Sequence, residues 1–328
     1  MKKDIVDNFD RLVDRRLREG RSSESRFKCI SSLNGKECEG ALIEFFMKKP
    51  PVHTGGLFHY TTIDSAEKIL RDRVLLLSIS DMLNDLGEPQ QKDMYVASFS
   101  HGRIENVAMW GIYARPLSKG VRLRFLQSEL RKLIQSNQYL APVLKRKKED
   151  GSNEYKILQS HLNAVEVKGE ACLSDVLYVD HYTGKRDTVV VRWNNHSIVL
   201  PLGVVVKLKE SHLLGLTKYS GRAYERESRF CVNAKIDFEK VNIRSYPGWE
   251  LANDKVALLL KPDIIKSISV LGGPCVNIDH LEKLKKLNDS IDNAGEIPTQ
   301  KSLFYGMIRG GVFCKDCPLG DNKKCLVK

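Results

Sequence analysis

Tyr224-Glu225-Arg226-Glu227-Ser228-Arg229-Phe230 is the stretch that decides how the chain is read. It follows a Ser220-Gly221 break and runs into Cys231-Val232, which predicts a strand entered from a loop. Side chains alternate across a strand, so Glu225, Glu227 and Arg229 would share one face, with Tyr224, Arg226 and Phe230 on the other. A face with two carboxylates and a guanidinium either meets solvent at a sheet edge, where charge blocks association, or lines a polar cleft.

Working outward, the 328 residues suffice for one large domain or two ordinary ones. A hydrophobic content of 42% with 29% charged residues is that of a water-soluble globular chain. Lys and Arg total 53 against 41 Asp and Glu, a net charge of +12, which favours anionic partners such as nucleic acid, nucleotides or an acidic protein. No apolar run follows Met1-Lys2-Lys3-Asp4, so no secretory signal is expected. No segment approaches the length of a membrane helix. With eight cysteines and no signal, the expectation is a cytoplasmic protein with reduced thiols and no membrane partner.

The periodicity predicts a helical extension over 1–52, with helices at about 4–19 and 37–47, closed by Lys48-Lys49-Pro50-Pro51. A main domain is expected over 53–290. Strands are predicted at 57–61, 74–77, 94–100, 120–125, 177–179, 188–191, 204–208 and 264–271. Helices are predicted after a capping box at Asp64-Ser65-Ala66-Glu67, over 104–114 and 126–134, and over 280–287. Lys145 to Ser152 reads as a charged loop. A Cys-containing basic tail follows over 291–328. In it, Cys314-x-x-Cys317 with Cys325 suits zinc, with the fourth ligand coming from Cys29, Cys38 or a histidine. Cys172, Cys231 and Cys275 sit in apolar company and read as buried thiols.

Several motifs stand in a fixed order: His59-Tyr60-Thr61, Asn84-Asp85 with Glu88, Ser98-Phe99-Ser100, Met109-Trp110-Gly111-Ile112-Tyr113, and Glu225-x-Glu227-x-Arg229. As a set, over roughly residues 57–275, they resemble a widespread bacterial family of unknown function that is itself similar to the ADP-ribosyltransferase fold. That resemblance implies an α+β domain with a split, mostly antiparallel sheet and flanking helices. It also implies NAD as co-substrate, with a role as a toxin or defence effector restrained by an antitoxin or regulatory partner.

Carried over residue by residue, Glu227 would be the catalytic carboxylate that stabilises the oxocarbenium-like state, and Glu225 would handle the incoming nucleophile. Arg229 would pair with either carboxylate and keep it ionised. His59, with Tyr60 and Thr61, would hold the adenosine ribose, and Ser98 and Ser100 would shape the NAD cleft. Trp110 and Tyr113 either stack on nicotinamide or adenine or belong to the core. Asn84-Asp85 shapes a turn. Branches of the superfamily join a leading histidine to a later tyrosine, or a leading arginine to serine-x-serine and the glutamate pair. This chain joins His59 to both the serines and the glutamates, which leaves its acceptor open between nucleic acid and a protein side chain. The alternative from another class is a non-catalytic protein of the same fold that binds nucleic acid through its basic surface. The chain lacks a phosphate-binding P-loop, a G-x-G-x-x-G turn, H-E-x-x-H and G-x-S-x-G, so common NTPase, dehydrogenase, zincin and hydrolase chemistries have no support.

Overall fold

The computed structural model describes residues 40–41, 56–80, 93–101, 105–134, 139–169, 171–180, 188–193, 196–201, 216–286, 299–304, 308–309 and 312–313. The helix expected at 4–19, most of that at 37–47, the strand at 204–208, the Asn84-Asp85-Glu88 motif, and Cys314, Cys317 and Cys325 lie outside them. The fold is α+β, with a large, mostly antiparallel sheet carrying short helices.

Its centre is a pair of strands, β3 (Met94–His101) and β13 (Glu227–Ile236), running antiparallel from Glu227↔Ser100 to Asn233↔Met94. Both strands are buried along most of their length, so both faces of this pair are covered. On its other edge β13 pairs with β8 (Cys172–Asp175) and then β7 (Val165–Val167). The Glu-x-Glu-x-Arg stretch therefore feeds a central strand, not an edge, and the solvent-edge explanation of its charges is removed.

The other edge of β3 is shared by two strands. β1 (Leu57–Thr62) meets it at His101 and Ser100, and β2 (Val74–Ile79) meets it at Val96 and Tyr95. Between those contacts β1 and β2 splay apart, which splits the sheet. One wing continues from β1 to β4 (Gly120–Phe125), β15 (Ser269–Gly272) and β16 (Thr299–Lys301). The other runs from β2 to β14 (Glu250–Leu259), β5 (Leu140–Lys147) and β6 (Asn153–Ile157). Because β16 pairs with β15, the sheet reaches past residue 290.

Helix α1 (Ile63–Asp72) buries Ile63, Ala66, Ile69 and Leu70 in the main core beside Leu75, Leu77, Phe99 and Phe230. Helix α2 (Val107–Tyr113) packs Met109 and Trp110 on Phe58 and Tyr60 of β1. Helix α3 (Gln127–Ile134) follows β4 and adds Leu130 and Leu133 to the core. A helix α4 (Pro262–Lys266) precedes β15, and α5 (Ile278–Lys286) follows it. No helix among the described residues is long and apolar enough to cross a membrane.

At Val176 the chain leaves the main sheet for a smaller one. There β9 (Leu177–Asp180) lies between β10 (Thr188–Trp193) and β12 (Thr217–Tyr219), and β11 (His196–Pro201) sits outside β10. β12 runs parallel to β9, with Lys218 opposite Tyr178. That pairing carries a lysine to the head of β13.

Local expectations fail where short-range signals compete. Thr62, not Asp64, caps α1: its side chain accepts from the Ser65 amide. The segment 264–271 is not one strand, because Pro262 starts a short helix and the strand begins only at Ser269. The expected loop from Lys145 to Ser152 is mostly hairpin, in which Lys145 pairs with Tyr155 and Lys147 with Asn153. Its charges suit an outer strand.

Candidate functional site

Glu225 does not lie on the strand. It ends a 3-10 helix, Ser220–Glu225, and Arg226 then takes a left-handed conformation with φ 44° before β13 opens at Glu227. The turn is pinned to β3 on both sides of Arg226. Ser100 Oγ donates to the Glu225 carbonyl at 2.8 Å, and the His101 amide donates to the Arg226 carbonyl at 2.8 Å. Alternation alone would have aligned Glu225 with Glu227. The carboxylates meet instead because the turn folds Glu225 back over the strand.

A single cation links them. Lys218 Nζ donates to Glu225 Oε2 at 2.7 Å and to Glu227 Oε2 at 3.0 Å. Arg229 grips Glu227 with Nε on Oε1 at 2.7 Å and Nη2 on Oε2 at 3.2 Å. Glu225 Oε1 also accepts from Tyr113 at 3.1 Å and from the half-exposed Arg222 at 3.2 Å. Glu225, Glu227, Arg229 and Lys218 are all buried, Arg229 completely. Burial pushes the Glu227 carboxyl up, but the charges of Arg229 and Lys218, with hydrogen bonds from Arg229 and Ser98, outweigh it and hold it down at about 2. Glu227 is ionised at neutral pH. Burial disfavours the Lys218 charge, yet the two carboxylates reverse that and raise its pKa. Burial, then the Glu225 charge, raises the Tyr113 phenol, so it stays a donor.

This depression fixes a pH dependence. A carboxylate more acidic in the folded chain than in the unfolded one contributes fully above its unfolded value of 4.5. That contribution drains as pH falls toward 2. We expect stability in urea to fall between about pH 5 and pH 2, and Glu227→Gln to flatten that slope. An unchanged slope in the variant would show that Glu227 is not the group being titrated.

The glutamates form one wall of a cleft of about 240 Å³ at the sheet split. Phe58, His59 and Tyr60 come from β1, Leu76 and Ser78 from β2, residues 96–100 from β3, and Met109 and Tyr113 from α2. His59 spans the gap, with Nδ1 3.1 Å from the Ser98 carbonyl. A carbonyl only accepts, so Nδ1 carries the proton and Nε2 is left as an acceptor. Burial lowers the His59 pKa, the Ser98 carbonyl only partly opposing it, so the ring is neutral.

Of the residues singled out from the sequence, His59, Tyr60, Ser98, Ser100, Tyr113, Glu225, Glu227 and Arg229 converge on this cleft. Thr61 and Trp110 do not line it. Thr61 is buried opposite Val121 of β4. Trp110 is fully buried, edge-on to Tyr60 with centroids 4.9 Å apart, and donates to Glu105 at 3.1 Å. Its place is the core beneath the cleft, not a stacking face. Sequence reasoning missed Lys218, Arg222 and Tyr178, whose hydroxyl accepts from the Glu227 amide at 2.8 Å. Lys218 sits in Leu216-Thr217-Lys218-Tyr219, which carries no sign that its β-partner is Leu177 to Val179. Among the described residues no group of three or more His, Cys, Asp or Glu is placed to hold a metal. Cys172 and Cys231 are buried thiols opposite each other on β8 and β13, as expected, whereas Cys275 is partly exposed and not the buried thiol expected from its apolar neighbours.

The arrangement presents a fixed negative charge in a low-dielectric cleft, neutralised from behind. Such a group suits the stabilisation of a developing cation better than proton donation. No family model matches the sequence. No curated protein matches it either. Among solved structures, Thermus sp. 2.9 DarT in complex with NAD+ is similar over 77% of this chain and 98% of its own, at 9% identity and a TM-score of 0.30.

Proposed function

We propose that the chain binds NAD in the cleft at the sheet split and transfers ADP-ribose from it to an acceptor. The observation that carries this reading is the ionised Glu227, held by Arg229 and Lys218, in a cleft that also gathers His59, Ser98, Ser100 and Glu225 from distant parts of the chain. In this reading the bond from the ribose anomeric carbon to nicotinamide breaks, and nicotinamide leaves with the bonding pair. The Glu227 carboxylate stabilises the oxocarbenium-like ribose. The acceptor adds its lone pair to that carbon, and Glu225 takes the proton it sheds. His59 Nε2 accepts from a ribose hydroxyl, and Tyr113 keeps Glu225 oriented.

The acceptor we propose is nucleic acid, RNA or single-stranded DNA, with a basic protein side chain as the competing choice. The net charge of +12 supports it. So do two aromatic rings capped by cations on the far wing, where Arg146 lies 4.6 Å over Trp249 and Lys156 lies 4.7 Å over Tyr246. A role as a toxin or defence effector with a restraining partner belongs to the same proposal and rests on the family resemblance. The non-catalytic alternative keeps the basic surface without the chemistry. Incubation with NAD labelled in its adenylate, together with RNA, single-stranded DNA and protein extract, tests both. We expect label in the nucleic-acid fraction and stoichiometric nicotinamide release. Label confined to protein would overturn the acceptor. No NAD consumption, with no binding at millimolar NAD, would overturn the enzyme.

A further inference from the structure

Arg122 on β4 is a buried cation. It is 7% exposed, and among the described residues no carboxylate pairs with it. Its Nη1 donates to the Tyr60 hydroxyl at 3.3 Å, a weak neutral partner that also accepts from the Asn106 amide at 3.4 Å. Its Nε is buried with no hydrogen-bond partner. The guanidinium lies 4.1 Å over the Phe58 ring and 5.7 Å from that of Tyr60. Ring faces attract a cation, but they do not satisfy its N–H groups. Arginines are almost never buried unless paired, because removing the charge from water costs several kcal/mol. The other buried arginine of the site, Arg229, meets that cost through Glu227.

The location of this defect is informative. Phe58 and Tyr60 line the cleft that holds Glu227, and Arg122, which packs on both rings without itself lining the cleft, adjoins it there. Strand register puts Arg122 opposite Tyr60 and Arg124 opposite Phe58, so the two guanidinium groups leave β4 on one face. Arg124 is exposed and crosses the bare backbone of Gly56, where an added Cβ would fall 2.5 Å from its Nε. With Nη1 of Arg122 committed to Tyr60, Nε and Nη2 are left as the planar side-on fork that matches two oxygens of one phosphate.

We propose that Arg122, assisted by Arg124, is the anion subsite of the cleft and binds the diphosphate of the dinucleotide. The proposal rests on the reading of the cleft as an NAD site. A diphosphate brings two adjacent negative groups to two cations on one strand face. The bound phosphate supplies the counter-charge and the acceptor that Arg122 lacks, so ligand binding completes a polar site the chain leaves unfinished. Tyr60 and Asn106 tie this subsite to the glutamate turn, since Asn106 Nδ2 donates to the Tyr224 carbonyl at 2.6 Å.

Calorimetry with ADP and with adenosine, on wild type, Arg122→Met and Arg122→Lys, tests it without any transfer reaction. Wild type is expected to bind ADP more tightly than adenosine. Arg122→Met should weaken ADP by about tenfold to a hundredfold and leave adenosine unchanged. Arg122→Lys, which keeps the charge and loses the fork, should fall between the two. The ligand-free Tm of Arg122→Met should stay level or rise, since an unpaired buried charge has been removed. Equal ADP affinity in wild type and Arg122→Met would overturn the proposal. So would a variant that unfolds or loses Tm, which would make Arg122 a packing residue, or one that loses oligonucleotide binding and keeps ADP. ADP binding that depends on Arg122 without any cleavage of NAD would keep the subsite and remove the transferase reading. Cleavage of NAD with no dependence of ADP affinity on Arg122 would do the reverse.

Discussion

Arg229→Ala is expected to destabilise the chain by about 3–5 kcal/mol, a large part of the stability of an ordinary domain. Arg229 is 0% exposed on a strand bonded on both edges, and it supplies two of the hydrogen bonds that hold Glu227. Its removal leaves a buried carboxylate with Lys218 as its remaining cation, shared with Glu225. The contrast is with Arg146, which makes an equally short 2.7 Å pair with Glu154 but has a side chain 47% exposed. Arg146→Ala should cost under about 1 kcal/mol, because water solvates both charges once the pair is broken. Urea unfolding of the two variants measures the difference. The deficit of Arg229→Ala should also shrink on acidification, as Glu227 becomes neutral in the variant before it does in wild type. A deficit below about 1 kcal/mol at neutral pH would mean that the pair contributes no more than a surface contact.

Glu227→Gln should reduce ADP-ribose transfer by at least about a hundredfold to a thousandfold, the usual cost of losing one preorganised electrostatic contact to a transition state. The amide keeps the shape and one acceptor, so bound NAD should be little affected while kcat falls. A stability loss is expected as well, since Arg229 and Lys218 would face one less carboxylate, and activity must be compared on folded protein. Glu225→Gln separates the two roles. Without the group that receives the acceptor's proton, transfer to nucleic acid should drop while slow cleavage of NAD by water persists. Parallel loss of both reactions in Glu225→Gln would show that Glu225 serves the ribose and not the acceptor. Full transfer activity in Glu227→Gln would remove it from the chemistry.

The same buried charges explain where sequence reading succeeds and fails. Charged residues at alternate positions are, in most chains, a solvated edge, and nothing local distinguishes that case from a buried network. The decision lies in partners far away: β3 more than a hundred positions earlier, and β8 and β12, which close the other sides. Trp110 and Tyr113 show the same limit at short range. Three positions apart on one helix, they differ in fate because Tyr60 packs on the first and Glu225 reaches the second.

By itself the sequence determined the alternation of strands and helices around residues 57–134 and which residue types are available for chemistry, because these follow from periodicity and side-chain identity, whereas the α+β class was implied by the ordered motifs and their family resemblance. It did not reveal that Glu225 sits on a 3-10 turn, since Arg226 adopts a left-handed backbone that no glycine or asparagine announces. Only the tertiary structure decided that β1 and β2 share one edge of β3 and open a cleft between them. It also decided that a lysine from the smaller sheet bridges the two glutamates, and that Arg122 lies buried with its fork unmet. Strand pairing between distant segments leaves no local trace. A buried charge is recognisable only once its surroundings are known.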